Sequence, residues 1–297
     1  MKKNLFKISL VLASLFSVFI LLTFLFTDLF IKKKNVMLMG RDKIAVVDII
    51  GTISDSEEII KQIREYAKDS SVKGIILRID SPGGGVVPSQ EIYKEVLKVK
   101  NKGKKVVSSM GTIAASGGYY IASASNKIIA NPGTITGSIG VIMEFPNIEE
   151  LMRKVGLKTE IIKSGKYKDI GVATRSLSEE DREILKRVID DVYEQFVSAV
   201  ASGRNLPLEK IKRLADGRIF SGKQAVELGL VDGLGNLQDA ISEAAKMTGI
   251  EGEPKIVREK FKKGLLFRLL NNKLFNKFFG YDFRNGYNFK FQYIWQY

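Results

Sequence analysis

The sequence predicts an α/β fold with mainly parallel sheet layers flanked by helices. Three observations predict it. Short Val- and Ile-rich runs recur at 44–51, 72–79, 106–110 and 127–130, with the length of buried strands. Segments with helical spacing separate them. Glycine and proline clusters fall at the junctions, as in Ser81-Pro82-Gly83-Gly84-Gly85 and Asn131-Pro132-Gly133.

The elements follow in order. Met1 to Lys7 is short and basic, and Ile8 to Phe26 is nineteen residues without a charge. At 1.5 Å per residue that run crosses a hydrocarbon layer of about 30 Å. It ends Leu25-Phe26-Thr27-Asp28 with no small-x-small site, so residues 1–30 read as a stub and retained single-pass anchor. A cleaved leader is the alternative. Lysines on both sides, Lys2, Lys3 and Lys7 against Lys32, Lys33 and Lys34, nearly tie the positive-inside rule. Residues 31–42 read as a polar linker, and 43–250 as one catalytic domain.

Within that domain Ser54 to Asp69 fits a helix, with Ile59, Ile60 and Ile63 on one face. Further helices are expected from Ser89 to Lys100, Gly117 to Ser125, Ile148 to Val155, Ser178 to Ser202, Pro207 to Leu214, Ser221 to Leu228 and Leu237 to Met247. Thr159-Glu160-Ile161-Ile162 reads as a strand. Residues 251–297 form a tail with thirteen of the chain's twenty-eight aromatic residues, interleaved with Lys and Arg. That mixture suits a membrane interface, or a hairpin or helix packed on the core or a sister subunit.

Composition excludes several chemistries. There is no histidine and no cysteine, so a Ser-His-Asp triad, a cysteine nucleophile, disulfides and His- or Cys-based metal sites are impossible. Nothing calls for a cofactor. The net charge is +14, but residues 1–41 and 251–297 each carry +6, which leaves the middle near neutral. Basic ends beside an apolar segment fit an anionic membrane surface better than nucleic acid.

Ser116 stands where the run 105–110 gives way to the small residues 117–125. A serine at such a strand-to-helix junction presents its hydroxyl at a sharp turn, beside backbone N–H groups that open the helix. Its base would be a lysine, a carboxylate or the N-terminus. Lysine can serve if burial keeps it neutral. Lys163, Lys166 and Lys168 all follow an apolar run, and the residues alone do not choose among them. Three glycines after Asp80-Ser81-Pro82 let N–H groups converge, on an oxyanion or a phosphate. They lack the ending of a P-loop.

Taken together, Asp80 to Gly85, Ala114 to Tyr120, Thr136 to Val141 and Ser164 to Asp169 resemble the signal peptide peptidase A family of membrane-anchored serine proteases. Arg218 to Ala225 and Gly229 to Asp232 fit as well. The likeness spans about residues 42–245 plus the anchor, with one copy of the catalytic region. It implies a Clp-protease/crotonase-like fold, with Ser116 as nucleophile and Lys168 as general base. Ser138 would orient the lysine, and Gly83 and Gly117 would supply the oxyanion hole. It further implies degradation of cleaved signal peptides by ring or dome homo-oligomers outside the cytoplasmic membrane, with serine and lysine from neighbouring subunits. The tail matches no family motif. Rival readings are a crotonase-type acyl-CoA hydratase or isomerase, and a non-catalytic membrane-anchored homologue acting as a scaffold.

Overall fold

The computed structural model describes residues 19, 42–259 and 292–294. The expected anchor, nearly all of the linker and most of the tail lie outside the described residues. Among the described residues no helix is long and apolar enough to cross a membrane.

The unit from Lys43 onward is built on an eight-stranded, mostly parallel sheet. The strands are β1 (Lys43–Ile50), β2 (Val72–Ser81), β4 (Lys105–Ala115), β5 (Lys127–Ala130), β6 (Ile135–Gly137), β7 (Ile219–Ser221), β8 (Gly233–Leu234) and β9 (Lys255–Arg258). The order runs β7-β6-β4-β2-β1-β9, and β5 and β8 branch from β4. β4 forks the sheet because it is long. Its first half pairs with β5 at Val107–Ser109, and its last three residues pair with β6.

Both faces of the sheet are buried, which is why the strands read as unbroken apolar runs. Ala45, Val47 and Ile49 point to one side and Ile44 and Val46 to the other. The first side is covered by α1 (Glu57–Lys68), α2 (Val86–Asn101), α3 (Gly117–Ser123) and α5 (Glu179–Arg204), through Ile63, Ile92, Val96, Tyr119 and Phe196. The second is covered by α8 (Leu237–Thr248), through Ala240, Ile241 and Ala244. Short helices α4 (Glu149–Lys154), α6 (Leu208–Leu214) and α7 (Gly222–Leu228) complete the set. Reciprocal caps start three helices where the sequence places them: Ser178 with Asp181, Ser221 with Gln224, and Asn236 with Asp239.

Two expectations change. Thr159 to Ile162 has no regular structure, because no neighbouring strand lies there to pair with, and Ile161 and Ile162 are exposed. β9 falls inside the span read as tail. It pairs in parallel with β1, so the sheet takes in Lys255–Arg258. A further tail segment, β10 (Gln292–Ile294), pairs antiparallel with β3 (Gly83–Gly85).

α5 crosses the end of α3 at backbone contact. A Cβ on Gly203 would sit 2.1 Å from the Ser123 carbonyl oxygen. Gly203→Ala should therefore destabilise the fold by about 1–3 kcal/mol. Thermal unfolding followed by circular dichroism checks it, with Tm falling by about 2–4 °C per kcal/mol.

Candidate active site

The site begins in an irregularity of β4. Ile79 pairs with Met110, but Ser81 pairs with Ala114, so Gly111, Thr112 and Ile113 face one residue, Asp80. A bulge of this kind leaves ladder groups without partners and bends the strand. Side chains supply the partners. Asp80 Oδ1 accepts the Ile113 N–H at 3.1 Å. Thr134 Oγ1 donates to the Gly111 carbonyl and Thr136 Oγ1 to the Ala114 carbonyl, both at 2.7 Å. Arg78 donates to Ser109 Oγ and to the Met110 carbonyl, both at 3.0 Å. Glycine is required at 111, since a Cβ there would lie 2.7 Å from Asp80 Cγ.

The bent strand delivers Ser116 to a tight turn at φ 52°, ψ −118°. A non-glycine residue held there stores about 1–3 kcal/mol of strain. The turn is fixed at both ends. Ser116 N–H donates to the Gly137 carbonyl at 2.8 Å, and the Ser116 carbonyl accepts from Tyr120 N–H at 2.8 Å. That second bond is the first of α3, so the Gly117 N–H precedes the helical ladder and points out of it.

Ser138 and Gly83 are brought to this turn. Ser138 follows the carbonyl that binds Ser116 and also has positive φ, 49°, with its N–H on the Arg218 carbonyl. Gly83, at φ 105°, opens β3, directly after the end of β2 that abuts α3. A Cβ on Gly118 would stand 3.0 Å from the Ser81 carbonyl oxygen. The Gly83 N–H, expected to face an oxyanion, donates to the buried Ser81 Oγ at 3.1 Å.

Lys168 is placed differently. The sequence asks for a base shielded from water, and in the single chain Lys168 is exposed. It lies on an arm from Val141 to Glu180 in which Gly171 alone is buried. It lines an open cavity of about 430 Å³ with Thr159, Ile161, Asp169, Val172 and Thr174. The other two lysines carry carboxylate partners. Lys163 Nζ lies 2.7 Å from Asp169 Oδ1, and Lys166 pairs with Glu180. Among the described residues the Lys168 ammonium has no ion pair or hydrogen bond, and none with Ser116 or Ser138. The structure thus separates three lysines that the sequence leaves equivalent.

The profile of Peptidase family S49 matches residues 98–251, and that of Clp protease matches 32–134. A Synechocystis sp. protein carrying a protease name (slr0021) is 50% identical over 212 residues, 71% of this chain and 76% of its own. An Enterococcus faecium protein bearing the name signal peptide peptidase SppA is 36% identical over 245 residues, 78% and 71% of the two chains. The chain belongs to peptidase family S49. Protease 4 of Salmonella typhi is 36% identical over 217 residues, 70% of this chain but 35% of its own. The S49 assignment makes the protein a serine peptidase of the signal peptide peptidase A type, and the mostly parallel α/β sheet agrees with a Clp-protease-like fold.

Two groups of this S49 peptidase carry no role in the sequence reading. Asp80 stands there only as part of a glycine-loop motif, yet it fixes the bulge that leads to Ser116. Arg175 holds the Lys168 arm. Its Nε lies 3.0 Å from Asp169 Oδ2 and its Nη1 2.6 Å from Asp181 Oδ2. The signal was the Ser178-x-x-Asp181 capping box, which marks where Asp181 must lie. Arg175, then Lys163, holds the Asp169 carboxyl well below the usual carboxylate range. Arg175 does the same for Asp181, and Lys166 for Glu180.

Two predictions follow from these contacts. Asp80→Ala, which strands the Ile113 N–H, should lower kcat on a hydrophobic reporter peptide by about 10²-fold, as a misplaced nucleophile would. Asp80→Asn keeps an acceptor and should retain most of the activity. Depressed carboxylates stabilise the arm above their unfolded pKa of about 3.9, and that stabilisation is lost as pH falls toward the folded values. Pulsed hydrogen exchange should find residues 163–181 protected from pH 8 to about 5 and opening below about 4, with the sheet still closed.

Proposed function

We propose that this S49 peptidase is a membrane-anchored endopeptidase with a Ser-Lys dyad, which degrades remnant signal peptides and similar hydrophobic peptides. The observation that carries the reading is the strained turn of Ser116, next to the opening N–H groups of α3 and beside Ser138. Lys168 is the base, because Lys163 and Lys166 are each engaged by a carboxylate, Asp169 and Glu180.

A lysine in water has a pKa of about 10.4 and stays protonated at neutral pH. Burial disfavours the cation and can lower that value by about 3–5. In this reading a second copy of the chain supplies the burial. The arm bearing Lys168 exposes Leu151, Val155, Leu157, Ile161 and Ile162, an apolar surface suited to association. Lys168 of one subunit meets Ser116 of the next, and Ser138 accepts from or donates to its amine.

Neutral Lys168 takes the Ser116 hydroxyl proton as Oγ attacks the peptide carbonyl carbon. The carbonyl oxygen becomes an oxyanion, held by Gly117 N–H and by Gly83 N–H, which exchanges Ser81 Oγ for it. The C–N bond then breaks, and the ammonium returns its proton to the leaving amine. Water repeats the sequence on the acyl-enzyme and frees Ser116. Substrate lies along β3 as an added strand. β10 supports that placing, since it takes such a position, Ile294 against Gly83 and Gln292 against Gly85. Val87, two residues beyond β3, exposes an apolar side chain that suits hydrophobic peptides. The apolar run 8–26 and the basic ends support an anchored chain at a lipid surface, and the likeness to the signal peptide peptidase A family supports a peptidase unit outside the cytoplasm.

Ser116→Ala and Lys168→Ala should each abolish hydrolysis while the proteins still fold. Co-expressed in one cell, the two inactive chains should recover roughly a quarter of wild-type activity, the share of heterologous contacts that pair an intact serine with an intact lysine. No recovery, with mixed oligomers verified by mass spectrometry, would place both residues in one chain. Full activity in Lys168→Ala would remove that lysine as the base.

A further inference from the structure

Asp169 follows Lys168 in the chain and lines the same cavity, yet it makes no ion pair with it. Its carboxylate is engaged by other cations. Oδ1 takes Lys163 Nζ at 2.7 Å and Arg175 Nη2 at 3.0 Å, and Oδ2 takes Arg175 Nε at 3.0 Å. The Asp169 side chain is only 7% exposed, beneath Lys163 and Arg175 at 33% and 29%. Arg175 is itself fixed from the other side by Asp181 of α5, and its Nη1 also donates to the Ser176 carbonyl at 3.0 Å. Ser176 is in turn held by Glu149 of α4. Elsewhere on the arm Lys166 and Glu180 pair with each other, Tyr167 donates to Glu180 as well, and the exposed Lys158 and Glu160 flank Thr159 of the cavity wall.

An unengaged carboxylate beside a lysine favours the ammonium and raises its pKa, which defeats a lysine that must act as a base. Arg175 and Lys163 bring two positive charges onto Asp169, and the bidentate fork of Arg175 fixes where it points. We infer that Arg175 is a positioning residue for catalysis, which keeps the Asp169 carboxylate off Lys168 so that the lysine can be neutral at working pH. The inference deepens the Ser-Lys reading above and rests on Lys168 being the base.

The test is the pH dependence of kcat/KM on a hydrophobic reporter peptide, using the full-length protein in detergent or vesicles. Arg175→Gln removes the bidentate fork and leaves Asp169 held by Lys163 alone, and the acidic limb should move to higher pH by about one unit or more. Arg175→Gln combined with Asp169→Asn should bring the limb back to or below its wild-type position. Asp169→Asn alone leaves Lys163 and Arg175 unbalanced near the amine and should move the limb to lower pH. If Arg175→Gln does not fold, Arg175→Lys, which keeps the charge and loses the fork, decides the matter: the limb should move to higher pH by a smaller amount, and a limb left in place overturns the inference. A purely structural arginine would lower activity at every pH and leave the limb in place. A limb unmoved in Arg175→Gln, or not restored in the double variant, overturns the inference. An active Lys168→Ala enzyme would instead overturn the Ser-Lys reading, so the two failures are distinct.

Discussion

One carboxylate in a strand bulge shapes the Ser116 half of the candidate site. β4 bulges against β2 between Met110 and Ala114 and exchanges β5 for β6 along its other edge between Ser109 and Ile113, and a strand that changes neighbours leaves backbone groups unpaired. Asp80 meets the Ile113 N–H from one side, while Thr134 and Thr136 meet carbonyls from the other. The bend they fix aims the chain into the Ser116 turn. The strain of that turn is tolerated because its N–H and its carbonyl are both bonded to rigid neighbours.

The same fork explains how residues far apart in sequence converge. β6 ends at Gly137, whose carbonyl receives Ser116, and β7 beside it carries the chain past Arg218, whose carbonyl receives Ser138. A Cβ at Gly137 would strike the Phe220 ring at 2.6 Å, so the close approach of these strands is made by an absent side chain. Chemistry at the turn thus depends on β4, β6 and β7 together.

Much of this was legible in the sequence. Buried strands announce themselves when both faces are covered, and the runs at 44–51 and 72–79 became β1 and β2 with small changes of boundary. The Ser116 junction and the helix starts near Ser178, Ser221 and Leu237 were legible for the same reason, that local chemistry fixes them. Thr159 to Ile162 was misread because an apolar, β-prone run is a strand only when another strand pairs with it. The exposure of Lys168 was illegible too, since spacing along a chain does not say what covers a side chain. Lys163 and Lys166 could be told from Lys168 only once their carboxylate partners had positions in space.

The two halves of the site are fastened by different forces. Ser116 rides on a scaffold whose side chains, Met110, Ala114, Tyr119 and Ile121, are wholly enclosed in hydrocarbon. Lys168 rides on an arm almost without enclosed side chains, tied down by Lys163, Arg175 and their carboxylates. Dissolved salt weakens exposed ion pairs and spares, or even tightens, apolar contacts. Ionic strength is therefore a lever that reaches the Lys168 arm and leaves the Ser116 turn in place, so a brine that leaves the scaffold sound can still slacken the arm beside it.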